Sequence, residues 1–240
     1  MNPQVPTIVL TRPLGASERF ADQLRVSGVN LPIAISPVLE IVPTGFTLPE
    51  RFSGAIFTST NGVAAVQGHN LPAWCVGDRT TREARLKGWR AFSADGDVEA
   101  LLRLILQDAP KGPLVHFRGV HSTGDLAQRL TSKGIETSEA VVYRQEQALL
   151  NVEAKQLLMG KHPVILPLFS PKSAATIAEQ GPFHAPVTVV AISAAVADVA
   201  RSIASKGLLI SRAPDAKAMV AAINHVADAA CFVEDGANTA

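Results

Sequence analysis

The segment 164–181, VILPLFSPKSAATIAEQG, decides the fold class. Its first six residues are apolar, a run too short for a helix and the right length for a buried strand. Ser170 follows, and its side chain can accept hydrogen bonds from the free N–H groups of a helix start. Pro171 suits the first helical position, Ile177 sits inside, and Gly181 provides the stop. A strand that runs straight into a capped helix is half of a parallel βαβ unit. The same grammar recurs along the chain. A strand at 187–192 leads to Ser193, expected to cap a helix carrying Val196, Val199, Ala200 and Ile203 and stopped by Gly207. A strand at 8–10 precedes a helix with Phe20 and Leu24 on one face, expected to be capped by Ser17 and ended by Gly28. Asp97 can cap the helix that holds Leu101, Leu102 and Ile105. Further short apolar runs at 55–58, 73–76, 114–118, 141–143 and 208–210 complete the alternation. Strands alternating with helices imply parallel sheets covered on both faces. The fold class is α/β.

The chain also repeats itself. Arg12 and Arg118, Leu24 and Leu130, and Gly28 and Gly134 are each 106 residues apart. At a slightly different offset, Phe57-Thr58-Ser59 matches Phe169-Ser170-Pro171. Val76-Gly77-Asp78 matches Ile192-Ser193-Ala194, with Gly88 set against Gly207, and Asp97 and Asp215 open similar helices. The order is A-B-A′-B′. Two sheets can be built from it, either in series or with the middle pair forming one domain and the two ends the other. In the second arrangement the extended stretches 35–43 (ISPVLEIVP) and 140–149 (AVVYRQEQAL) become side-by-side crossovers. Arithmetic alone does not choose.

Composition bounds the function. The chain has 240 residues, with 22 Lys+Arg against 21 Asp+Glu, 47% hydrophobic residues and 5% aromatics. That length makes one large or two small domains, and the apolar content excludes a disordered chain. A near-zero net charge with no basic stripe argues against nucleic acid as a partner. The N-terminal MNPQVPTIVLTRP lacks a signal-peptide core, and no apolar run reaches a bilayer span, so no membrane is expected and cytosol is the expected compartment. Cys75 and Cys231 make no framework and have no ligand spacing around them. His116 and His121 stand five apart across a strand-to-helix junction, poor geometry for a metal. His69, His162, His184 and His225 are expected at the surface or in loops. There is no G-x-G-x-x-G, no G-x-S-x-G and no H-E-x-x-H. The segment 119–124 has a phosphate loop's length without its Lys-Ser/Thr. Residues 231–240, small and polar, are expected to fray.

In open α/β sheets ligands bind beyond the carboxyl ends of the strands. There this sequence offers Thr11-Arg12, the run Thr58-Ser59-Thr60-Asn61-Gly62, Gly77 to Thr80, Arg118-Gly119, Ser170 and Ser193. Hydroxyls and free N–H groups at helix starts suit a carboxylate or phosphate, although each serine alone is adequately explained as a cap. Tyr143 is the only tyrosine. It is either a core ring with a satisfied hydroxyl or a neutral phenol facing a cleft, able to donate a proton.

The ordered set TRP (11–13), PVLEI (37–41), IFTSTNGV (56–63), CVGDRT (75–80), FRG (117–119), VVYR (141–144), LFSPKSA (168–174) and PDAKAMVAAI (214–223) resembles uroporphyrinogen-III synthase. The resemblance runs from Val9 to Ile223. It implies two flavodoxin-like parallel-sheet domains joined by a two-stranded hinge, with 1–37 and 146–240 forming a discontinuous domain and 38–145 the central one. It further implies a monomeric enzyme without cofactor or metal, acting on hydroxymethylbilane. That linear tetrapyrrole closes to uroporphyrinogen III with inversion of ring D and loss of water, through an azafulvene and a spiro intermediate in the interdomain cleft. Transient contact with the preceding pathway enzyme is expected.

Carried over residue by residue, Tyr143 falls at the family's candidate acid. Ser59, Ser170 and Thr80 fall at its cleft-lining hydroxyls, and Arg12, Asn61, Arg118, Lys172 and Ser193 are the expected substrate contacts. Two departures stand out: Ser193-Ala194-Ala195-Val196 replaces a second G-x-x-T, and 119–125 lacks the Arg-rich pattern of bacterial members. The alternatives are a two-lobed α/β binding protein, which would leave only the spontaneous isomer as product, and another small-molecule enzyme on paired flavodoxin-like domains.

Overall fold

The structure, a computed structural model, describes residues 5–121 and 124–235. It divides into two compact units. One comprises the chain up to Glu40 and from Gln147 onward, the other Ile41–Glu146.

The first unit holds a five-stranded sheet. Its strands are β1 (Thr7–Leu10), β2 (Ile33–Ile35), β9 (Val164–Leu168), β10 (Val187–Ala191) and β11 (Gly207–Ile210). They lie in the order β11-β10-β9-β1-β2, every pair parallel. Because β1 pairs with β9, both ends of the chain share one sheet, and the series arrangement of the repeat is excluded. Period-two alternation splits the strand residues between two cores. Val9, Leu166 and Val189 pack beneath α6 (Val152–Met159), α7 (Pro171–Ala178) and α8 (Ala194–Ala200). Ile8, Leu10, Ile165 and Val190 pack beneath α1 (Leu14–Val26) and α9 (Ala216–Asp235).

The second unit holds β4 (Gly54–Phe57), β5 (Pro72–Cys75), β6 (Arg90–Ser93), β7 (Leu114–Gly119) and β8 (Thr137–Gln147), with β3 (Leu39–Pro43) beside β8. The order is β3-β8-β7-β4-β5-β6, and β4 to β8 are parallel. Phe57, Ala73, Val115 and Val142 face α2 (Thr60–Ala64) and α3 (Asp78–Leu86). Ile56, Trp74 and Leu114 face α4 (Val98–Asp108) and α5 (Leu126–Ser132). β3 and β8, in which the chain passes between the units, are neighbours. Thr44 N–H donates to the Val142 carbonyl and Ala148 N–H to that of Val38, so this pair runs antiparallel.

Several local expectations change. Ser17 does not cap α1. Pro13, its φ fixed by the ring, stands at the N-cap, and Ser17 lies one turn inside, its hydroxyl donating to the Arg12 carbonyl. Gly28 does close that helix, at φ +89°, where a side chain would be strained. α8 ends at Ala200, well before Gly207, which instead opens β11. The strand expected at 141–143 extends over Thr137–Gln147, and 35–43 is interrupted between β2 and β3 at Ser36-Pro37-Val38. α9 continues to Asp235, beyond the expected onset of fraying at Cys231. Residues 236–240 lie outside the described residues. Among the described residues no helix is long and apolar enough to cross a membrane, and no group of three His, Cys, Asp or Glu is placed to hold a metal ion.

Candidate active site

In Ile41–Glu146 the polar residues collect at the carboxyl ends of β4 and β7, level with Tyr143 in β8. Ser59, extended at φ −157°, is the N-cap of α2, and its hydroxyl oxygen accepts from the N–H groups of Asn61 (3.1 Å) and Gly62 (3.4 Å). The same oxygen lies 3.1 Å from the Tyr143 hydroxyl. A serine oxygen has two lone pairs and one proton. With both lone pairs engaged by backbone donors, its proton is what remains for Tyr143. The phenol then accepts from Ser59, and its own proton stays available.

A β-bulge aims the tyrosine there. The pairing of β7 with β8 jumps from Arg118↔Val141 to Gly119↔Tyr143, which places the Tyr143 ring against the core face that Val142 already occupies. Two glycines make room. A Cβ on Gly119 would lie 2.7 Å from two Tyr143 ring carbons, and a Cβ on Gly62 would lie 2.5 Å from the Phe117 carbonyl oxygen. Tyr143 itself is half-buried.

Other expected site residues of this unit stand differently. Asn61 contributes its N–H to the Ser59 cap, and Thr80 is buried in the first turn of α3. Arg118 lies on the opposite face of β7 from the phenol, because Phe117 and Gly119 on either side of it face Tyr143's core. Its guanidinium meets Glu139 at 2.7 Å and donates to the Gly119 and Val120 carbonyls, with Nε left without a partner. Arg118 and Glu139 line a cavity of about 550 Å³ against α5. The structure therefore brings Ser59, Asn61 and Tyr143 together and keeps Arg118 away from them. Residues 122–123 of the loop 119–124 lie outside the described residues.

Behind this rim, His116 is 3% exposed. Its Nε2 lies 3.2 Å from the Thr58 hydroxyl, while Nδ1 stands 3.6 Å from Glu139 and makes no hydrogen bond. Burial pushes its pKa down from 6.5 to about 4, with Glu139 pulling upward and Arg118 adding to the depression, so the ring is neutral. Burial also raises the Cys75 thiol to about 11, which makes it unreactive at neutral pH. His69, His121, His162, His184 and His225 are exposed.

The other unit has its own rim. The Arg12 guanidinium lies 4.1 Å above the Phe169 ring, which meets Phe20 edge-on. Ser170 caps α7 through the Ser173 N–H and lies 2.9 Å from the Ser173 hydroxyl. Ser193 caps α8 through the Val196 N–H, so the hydroxyl next to the altered G-x-x-T is held by the backbone. Lys172 is half-buried on the first turn of α7.

The family model described as uroporphyrinogen-III synthase HemD matches residues 18–221. The chain belongs to the uroporphyrinogen-III synthase family. One solved structure agrees in fold: the uroporphyrinogen-III synthetase of Helicobacter pylori superposes with TM-score 0.64 at 18% identity, covering 92% of this chain and 99% of its own. The uroporphyrinogen III synthase of Thermus thermophilus, as a triple mutant, is similar at 15% identity with TM-score 0.44, covering 95% and 100%. Comparison with curated proteins finds no sequence match. Within this uroporphyrinogen-III synthase fold, sequence reasoning misses Glu139, names Thr58, Gly62 and Gly119 only as residues at strand ends without their packing roles, and weighs His116 only as a metal ligand. The available signal was a titratable residue inside the apolar run Leu114-Val115-His116-Phe117.

Proposed function

We infer that the chain converts hydroxymethylbilane into uroporphyrinogen III, and that Tyr143 is the acid that releases water. The family match supports the reaction. The observation that carries the assignment of Tyr143 is its contact with a serine whose lone pairs are already used. In this reading the phenol gives its proton to the substrate's hydroxymethyl oxygen as the C–O bond breaks. The pyrrole nitrogen lone pair drives that departure and leaves a cationic azafulvene. The cation is attacked by the substituted carbon of ring D, and the resulting spiro intermediate fragments and recombines with ring D turned over. The proton lost as ring D regains aromaticity returns to the tyrosinate, so the balance is one substrate to one product and one water. Ser59, donating to the phenol oxygen, stabilises the negative charge that develops there.

Much of the remaining task is orientation, because the folded-up chain must reach the spiro route before direct closure. Asn61 and Thr80 on this rim, and Arg12, Lys172 and the helix starts at Ser170 and Ser193 on the rim of the other unit, are the proposed donors to substrate carboxylates. Arg118 joins them only by exchanging its hold on Glu139. The reading places a monomeric enzyme in the cytosol. A brief handover from the enzyme that makes hydroxymethylbilane belongs to it, since the free substrate closes spontaneously.

Turnover of hydroxymethylbilane by the wild type and by Tyr143→Phe tests the assignment. Loss of the acid is expected to lower kcat about 100-fold with KM within a few-fold, the size ordinary for a general acid. Turnover within threefold of wild type would remove Tyr143 from the acid role. Consumption by the wild type no faster than the spontaneous rate would remove the reaction.

A further inference from the structure

His116 has no part in the proton transfer, yet its surroundings tie it to the residue that does. It sits on β7 at a register position shared with Ile56 of β4 and Glu139 of β8. A buried side-chain nitrogen without a partner is uncommon and calls for a reason, and His116 Nδ1 is such an atom. Thr58, which Nε2 meets at 3.2 Å, is bonded directly to Ser59, and Ser59 meets Tyr143 at 3.1 Å. Glu139 and Tyr143 both belong to β8, on either side of the bulge. The contacts therefore close a ring across three strands: Glu139 to His116, His116 to Thr58, Ser59 to Tyr143, and back along β8. Arg118 fixes the Glu139 end at 2.7 Å.

We propose that His116 is a positioning residue for Tyr143: it anchors Thr58 to β8 below the bulge and so holds the Ser59 hydroxyl against the phenol above it. The proposal rests on the reading of Tyr143 as the acid. The junction needs such an anchor, because α2 is only five residues long and a single helical turn does not hold itself. The neutral ring carries one N–H. The Glu139 carboxylate, facing Nδ1, favours the proton on that nitrogen. Nε2 is then free to accept from the Thr58 hydroxyl, which fixes the rotor of the residue before the cap. A carboxylate on the far side of the imidazole thus sets a hydroxyl two strands away, with no charge entering the core between them.

Thr58→Val removes only the hydroxyl at nearly constant volume, and His116→Leu removes the anchor itself. Each is expected to lower kcat about 10-fold with KM within twofold, and His116→Gln, whose amide can reach Thr58, to recover most of the loss. In a Tyr143→Phe background Thr58→Val should cost nothing further, since there is no acid left to position. A purely structural role would give losses that multiply with that of Tyr143→Phe.

Because Tyr143 is the only tyrosine, protein labelled with [13Cζ]tyrosine gives one ring signal that reads the contact without any assay. Thr58→Val, His116→Leu and Ser59→Ala are expected to move that signal in the same direction. A signal unmoved by Thr58→Val, or by Ser59→Ala, would overturn the proposal, as would multiplicative losses of kcat. If Tyr143→Phe turned over normally, the acid reading would fall. The ring signal alone would then decide whether His116 positions the phenol.

Discussion

The two units have the same sheet laid out from different chain orders. Reading β2-β1-β9-β10-β11 against β8-β7-β4-β5-β6 aligns each strand of one unit with its repeat in the other. In order along the chain, with β3 set aside, the first unit is 2-1-3-4-5 and the second 5-4-1-2-3, so each is a circular permutation of the other. Their interiors differ in kind. The first unit buries Thr11, Ser17, Ser36, Ser173, Thr176 and Ser211, all uncharged hydroxyls, whereas Ile41–Glu146 buries, besides Thr80 and Thr81, the imidazole of His116 beside a Glu139–Arg118 pair. Their rims differ as well. One carries a stacked arginine and two serine caps, the other a phenol held by a serine. In the proposed reading the shared scaffold divides the labour: the first unit would supply binding alone, and the second would supply the chemistry together with the Asn61 and Thr80 donors.

Tight packing under the second rim gives the largest expected break in this comparison. Gly62→Ala would drive a Cβ to 2.5 Å from the Phe117 carbonyl, which is backbone and does not yield. The second unit is expected to lose about 3 kcal/mol, together with the Ser59 cap. Both tryptophans, Trp74 and Trp89, lie in that unit, so denaturant unfolding followed by their fluorescence measures it directly. An unchanged midpoint would show that α2 can lift away from β7 freely.

Acid comes next. His116 titrates near 4 when folded against 6.5 ordinarily, so between those values the unfolded chain takes up a proton that the folded unit refuses. Stability is unaffected above pH 6.5 and falls as pH drops toward 4, by up to roughly 3 kcal/mol at about 1.4 kcal/mol per unit. The tryptophan-reported transition should weaken over that range in the wild type and markedly less in His116→Leu. Parallel behaviour of the two proteins would mean that other groups carry the acid sensitivity.

The smallest effect is expected in the first unit. Arg12→Ala removes a cation–π contact worth about 0.5–1 kcal/mol and a proposed carboxylate donor. It should raise KM about 10-fold while kcat stays within twofold. A fall in kcat with KM unchanged would place chemistry on both rims and erase the distinction between the units.

The sequence exposes the central strands and two of the four edges, β11 and β3, and hides the other two. β1, β4, β5, β7, β9 and β10 are short apolar runs because both faces are covered. β2 (Ile33–Ile35) and β6 (Arg90–Ser93) lie at sheet edges and are not legible as strands; β6 buries only Ala91. Ser17 misleads because a serine near a helix start looks like a cap, although Pro13 sets that start. At the site, Ser59 and Tyr143 are recognisable one at a time. Their contact joins residues 84 apart and depends on a bulge that no pattern in AVVYRQEQ announces. Arg118 appears as an anion ligand from its place after a strand, yet the period-two alternation of β7 turns it to the other face, where Glu139 holds it.

The isomer of the macrocycle that leaves the protein is the most direct test of the proposed reaction. Hydroxymethylbilane is incubated with the wild-type chain, the products are oxidised, and the porphyrins are separated by chromatography. The type III isomer, with ring D inverted, is expected, formed faster than the spontaneous closure. Type I alone, at the rate seen without protein, would contradict that reaction.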